Sequence, residues 1–139
     1  MKPMTMNKIA IDTNILLYSV DTFDSVKHAK ALDLIAESPF ISSQVISETA
    51  NICLRKWKFS KEKTGALINV FLDKCEFIPI SKAIISRATT TIMSKYKLQF
   101  FDALIITAAL DEGCEVLYSE DMHNSLLVEG LLRIVNPFL

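Results

Sequence analysis

Apolar residues recur along this chain in short runs separated by longer stretches of helical spacing, the pattern of strands alternating with helices. "IAI" (9–11) is too short for a helix and is flanked by polar residues, which marks a buried strand. Residues 15–19 predict a short helix with Asn14 as its N-cap. Residues 26–37 predict an amphipathic helix with Ala29, Leu32, Ile35 and Ala36 on its buried stripe, ended by Pro39. "FISS" (40–43) is a second strand, and a helix over 44–56 places Ile46, Ala50, Cys53 and Trp57 on one side. Ser60 opens a further helix that buries Ala66, Leu67, Val70 and Phe71. "FIPI" (77–80) is a third strand, and Ser81 caps a helix running to Tyr96. The segment "DALIITAALDEG", starting at Asp102, is apolar nearly all round, so its helix belongs at the centre of the core, with Gly113 as its stop. "CEVLYS" (114–119) and "RIVN" (133–136) complete the set as fourth and fifth strands.

Strands and helices that alternate without hairpin signals imply an α/β three-layer sandwich: a mostly parallel sheet of about five strands with helices on both faces. With no repeat or linker, the 139 residues are expected to form one domain, with residues 1–7 as a loose tail.

Half of the residues are hydrophobic and only seven are Gly or Pro, which favours a compact fold over disorder. No apolar run approaches the roughly 20 residues of a membrane span, and "MKPMTMNK" has no apolar h-region, so neither membrane insertion nor secretion is expected. Cys53, Cys75 and Cys114 are odd in number and widely spaced, which reads as buried filler in a reducing cytoplasm. A net charge of −1 excludes a globally basic nucleic-acid coat but leaves room for a local basic patch. Arg55, Lys56 and Lys58, with Lys61 and Lys63 close behind, form such a patch around Trp57 and Phe59. Cations there could follow phosphates while an aromatic ring stacks on an unpaired base, although Trp57 also continues a core stripe.

The chemistry lies in where the acids fall. In open parallel sheets, sites form beyond the carboxyl ends of the strands. Asp12 ends the first strand, Glu48 sits in the first turns after the second, Asp102 begins the central helix, and Asp121 follows the fourth strand beside Glu120. Singly, each acid has an ordinary explanation; Asp12 and Asp102 are in positions that favour a helix N-terminus. Together they converge on one edge of the sheet. Carboxylates gathered without cations resist joint ionisation, and a hard divalent ion with oxygen ligands, Mg²⁺ or Mn²⁺, resolves the repulsion. His28 and His123 show no ligand spacing. A carboxylate cluster holding such an ion suits phosphodiester cleavage without a protein nucleophile. Other α/β readings fit less well. A phosphoacceptor receiver needs an Asp ending the third strand, a haloacid-dehalogenase-like phosphatase needs DxD where this chain has Asp12-Thr13-Asn14, and a dinucleotide fold needs a glycine-rich first turn.

These residues resemble a known set. "IDTNILLY", "ISSQVISE", "FFDALI" and "LYSEDM", closed by "RIVNPF", are similar to the motifs of PIN-domain ribonucleases, and more narrowly of VapC-type toxins of bacterial toxin–antitoxin pairs, over essentially the whole chain from Lys8. The resemblance implies an acidic quartet at Asp12, Glu48, Asp102 and Asp121, with Glu120 as the competitor for the fourth place and Asn14 and Ser119 as supporting polar residues. It also implies Mg²⁺- or Mn²⁺-dependent endonucleolytic cleavage of RNA, inhibition of translation, a cytoplasmic homodimer and a small cognate antitoxin. The alternative is a PIN-like module that binds RNA or a protein without cutting.

Overall fold

The apolar triplet Ile9–Ile11 forms β1, a strand paired on both sides. The computed structural model describes residues 7–139. The segment expected to be a loose tail lies outside the described residues except for Asn7, which is exposed and precedes β1. The order that follows is α1 (Thr13–Val20), α2 (Ser25–Ile35), β2 (Phe40–Ser42), α3 (Ser43–Arg55), α4 (Lys61–Lys74) and β3 (Glu76–Ile78). Then come α5 (Lys82–Arg87), a π-helical turn (Ala88–Ile92), α6 (Met93–Tyr96), α7 (Phe100–Asp111), β4 (Val116–Tyr118), β5 (Leu127–Val128) and β6 (Leu132–Val135). The sheet runs β3-β2-β1-β4-β6-β5, and every pairing is parallel except β5 with β6. Among the described residues, no helix is long and apolar enough to cross a membrane.

The mostly parallel sheet flanked by helices is the expected architecture, with one strand more than expected. The added β5 pairs with β6 across a tight turn in which Glu129 and Gly130 both adopt positive φ, at 53° and 69°. Two left-handed residues in succession match the twist of a hairpin, and Glu at the first of them hides the usual Asn-Gly signal.

Helix α7 buries every residue from Ala103 to Leu110, as an all-round apolar sequence requires. Gly113 stops it at φ 84°, with the amides of Gly113 and Cys114 donating back to Leu110 and Ala109. Ile11, Ile15, Leu16, Ile41, Ile106 and Leu117 form the middle of the main core. All three cysteines are free and buried.

Several expectations need correction. Helix α1 begins at Thr13 and is capped by Asp12, whose carboxylate accepts from the Thr13 amide, so Asn14 is not the cap. In α2 the buried residues are Ala31, Leu34 and Ile35, while Ala29, Leu32 and Ala36 face outward. A hydrogen bond of 2.8 Å between His28 Nδ1 and the Tyr18 carbonyl turns that helix on α1. In α3 the buried line is Val45, Thr49 and Cys53. Helix α4 packs mainly on α3, so its contact stripe is narrow: Thr64 and Phe71 are buried, but Ala66 and Val70 are exposed. The single helix expected up to Tyr96 is broken by the π-helical turn, where Thr89 and Thr90 hydroxyls donate to the Ile85 and Ser86 carbonyls and loosen the backbone ladder.

Candidate active site

Parallel strands align their carboxyl ends, and the register here pairs Ile11 with Tyr118, so the residues just after β1 and β4 lie side by side. The Asp12 amide donates to the Tyr118 carbonyl at 2.9 Å. The next residue along β4, Ser119, is fully buried, and its hydroxyl donates to Asp12 Oδ2 at 2.7 Å. The other oxygen of Asp12 accepts the Thr13 amide at 2.7 Å. One carboxylate therefore caps α1 and ties the ends of two central strands together.

Glu48 comes to the same edge because α3 starts directly after β2 and its second turn leans over α1. Thr13 Oγ1 donates to Glu48 Oε1 at 2.7 Å, and Gln44 Nε2, one turn earlier on α3, donates to Oε2 at 3.0 Å. Helix α7 precedes β4 and runs against the strand direction, which delivers its first turn, with Asp102, to the carboxyl edge. Asp121 follows β4 and is exposed, with its Oδ2 accepting from Asn14 Nδ2 at 3.1 Å.

These four acids line one cleft of about 170 Å³ together with Thr13, Asn14, Leu17 and Ile52, a lining without lysine or arginine. The electrostatics are those of acids confined together. Burial pushes the Asp12 carboxyl up to about 6; Ser119 and the Thr13 amide oppose the shift, and Glu48 and Asp102 add to it. Burial likewise raises Asp102, followed by repulsion from Glu48 and Asp121.

Glu120 is placed elsewhere. It accepts the Tyr18 hydroxyl at 2.5 Å and is ion-paired with Lys27, and those partners hold its carboxyl below the usual range despite burial. Lys27 also stands over the rings of Tyr18 and Phe138, which meet edge to face. Sequence reasoning did not single out Thr13, Gln44, Tyr18 or Lys27. Only Gln44 carried a signal, its i, i+4 spacing to Glu48.

Among the described residues, no group of three or more His, Cys, Asp or Glu side chains forms a ready-made metal cage. Mg²⁺ does not require one, since it keeps several waters and takes one or two carboxylates from a protein. The cleft fits that requirement: four carboxylates as hard oxygen donors, and no lysine, arginine, thiol or imidazole in the lining.

The basic patch lies beside this cleft in part. Lys56 and Trp57 line a neighbouring cleft of about 240 Å³ that shares Asn14, Leu17 and Asp121 with the acidic one. Arg55 is the last residue of α3, and Lys58 is exposed with φ 58°; neither lines the acidic cleft.

The sequence pattern of the PIN domain family matches residues 9–124. Among solved structures, the chain is similar to the Mycobacterium tuberculosis VapC20 toxin, which cleaves the sarcin–ricin loop, at TM-score 0.67 and 18% identity over 82% of this chain and 90% of that one. A toxin–antitoxin complex from Klebsiella pneumoniae matches at TM-score 0.66 and 22% identity, over 94% of this chain and 97% of that one. DNA-bound VapBC from Salmonella typhimurium matches at TM-score 0.66 and 16% identity, over 93% and 97%. At these identities the likeness is one of fold. No curated protein sequence matches the chain.

Proposed function

Because the chain belongs to the PIN domain family, which its residues 9–124 match, we propose that it is a single-domain endoribonuclease dependent on Mg²⁺ or Mn²⁺ and the toxin of a toxin–antitoxin pair. The observation that carries this reading is the cleft in which Asp12, Glu48, Asp102 and Asp121 meet without a cationic side chain. Asp12 and Asp102 are the anchoring ligands: burial first, and repulsion from the neighbouring acids after it, raises both carboxyls, and a cation in the cleft would relieve that repulsion. Glu48, oriented by Thr13 and Gln44, and Asp121, oriented by Asn14, complete the outer ligand sphere and position water. The Ser119 hydroxyl donates to the Asp12 carboxylate, orients it and favours its ionised form against the effect of burial. When bound, the metal lowers the pKa of a water and neutralises charge on the phosphate and leaving oxygen.

A small antitoxin as partner and a homodimer as the working form accompany this reading, with the cytoplasm as its setting and arrest of translation as its outcome. Support for the antitoxin comes from the toxin–antitoxin complexes that share the fold. The test is incubation of total bacterial RNA with the purified protein free of any partner, with Mg²⁺ or Mn²⁺ and then with EDTA, beside Asp102→Ala. Discrete fragments that need the metal and vanish in the variant support the nuclease. Intact RNA with every metal, together with RNA binding, favours the non-catalytic module.

A further inference from the structure

Trp57 is the only tryptophan in the chain, and its position is unusual for a core residue. It is half-buried, one residue past the C-cap of α3, and it lines two surface clefts at once. One is the cleft shared with Asn14 and Asp121; the other, of about 390 Å³, is bounded by Val20, Thr22 and Phe59. The ring is held from behind. Its centroid is 5.5 Å from that of Phe59, and the Lys63 ammonium sits 3.9 Å over the far partner of that pair. The chain reaches this arrangement through Lys58 at φ 58°, a left-handed conformation that a lysine adopts at a cost, with the Phe59 amide donating to Cys53 and the Trp57 amide to Ile52. The turn thus sets two aromatic rings side by side, with Lys56 on the side nearer the acids. Of the acids along this path, Glu120 is neutralised by Lys27, while Asp21, which lines both clefts beside Trp57, accepts the Phe23 amide.

We propose that Trp57 and Lys56 form a subsite for one unpaired nucleotide next to the scissile phosphate, with the base stacked on the indole and its phosphate on the lysine. The substrate at the cleft is then single-stranded, because a base within a duplex has no free face to offer. This rests on the nuclease reading above and adds to it a residue that selects the form of the substrate.

With one tryptophan, fluorescence excited at wavelengths beyond tyrosine absorption reports on Trp57. The wild-type protein is mixed in a stopped-flow cell, with Mg²⁺, against a single-stranded RNA of eight to ten nucleotides or the same sequence as a duplex. Saturable quenching by the single strand and little by the duplex is the expected result. In steady-state cleavage, Trp57→Ala raises KM for the single strand roughly 5- to 150-fold with kcat little changed, and Trp57→Phe restores most of the loss. Unchanged fluorescence with either RNA overturns the subsite and leaves the cleft to a protein segment. So does an unaltered KM in a Trp57→Ala protein whose circular dichroism is native, while Asp102→Ala still abolishes cleavage; the nuclease then stands without the subsite. Quenching without cleavage by the wild type has the opposite meaning, a stacking subsite on a protein that does not cut.

Discussion

The hydroxyl of Ser119 lies 2.7 Å from Asp12 Oδ2, with both side chains buried between the ends of two central parallel strands. That contact is the point at which the fold and the proposed chemistry meet. It stabilises the carboxylate form of an acid that burial disfavours, and it joins β4 to the N-terminus of α1.

Ser119→Ala removes this donor and leaves Asp12 Oδ2 without its partner, while the Met122 amide loses its acceptor at 3.2 Å. The expected cost in stability is about 1–3 kcal/mol, read as a lower midpoint of urea unfolding. Because the hydrogen bond favours the ionised acid, its loss raises the Asp12 pKa further, and the acid limb of the pH–rate profile for cleavage moves to higher pH. A profile that stays in place separates Ser119 from the ionisation of Asp12.

Asp12 also gives the metal-free protein a pH signature. Its carboxyl goes from 3.8 when unfolded to about 6 when folded, so between those values the folded state keeps a proton that the unfolded state has lost. Stability therefore falls as pH rises from about 4 to 6 and is flat above, by about 3 kcal/mol in all from this group. Asp12→Asn, which keeps a side chain able to cap α1, removes the decline. Its Tm in EDTA lies above that of the wild type at pH 7 and meets it near pH 4. Parallel Tm curves for the two proteins would assign the stress to other groups.

Asp121 and Glu120 are adjacent in sequence but differ in surroundings, one facing the acidic cleft and the other paired with Lys27 and Tyr18. Asp121→Asn is expected to cut the cleavage rate tenfold or more, on the scale of lost ligands or their supports. Glu120→Gln retains most activity and loses stability of about 0.5 kcal/mol, as befits a partly exposed ion pair. The reverse ranking, measured as kcat/KM on one RNA, would move the fourth acid to Glu120.

What the sequence made legible follows from how strongly each signal is enforced. The central helix was readable because eight consecutive buried residues leave no polar face to mistake, and the parallel order of β1 to β4 because helical spacing separates these four strands from one another. The convergence of Asp12, Glu48, Asp102 and Asp121 was readable for a topological reason: strand ends and the following helix starts share one edge. The outer faces of α2 and α4 were not, since Leu32 and Val70 have the spacing of a buried stripe and only the contacts with α1 and α3 decide which way each helix turns. The supporting shell was hidden as well. Thr13 reaches Glu48 across 35 positions and Lys27 reaches Glu120 across 93, distances over which a single sequence carries no pattern.

If the four acids form one divalent-cation centre, the protein binds Mn²⁺ there, and the relaxation of water protons follows that binding. The wild type should bind Mn²⁺ saturably at pH 7.5, Mg²⁺ should compete, and both Asp12→Asn and Asp102→Ala should weaken binding by tenfold or more, in line with the loss of an anchoring ligand. Equal Mn²⁺ affinity in all three proteins, or none in the wild type, would contradict it.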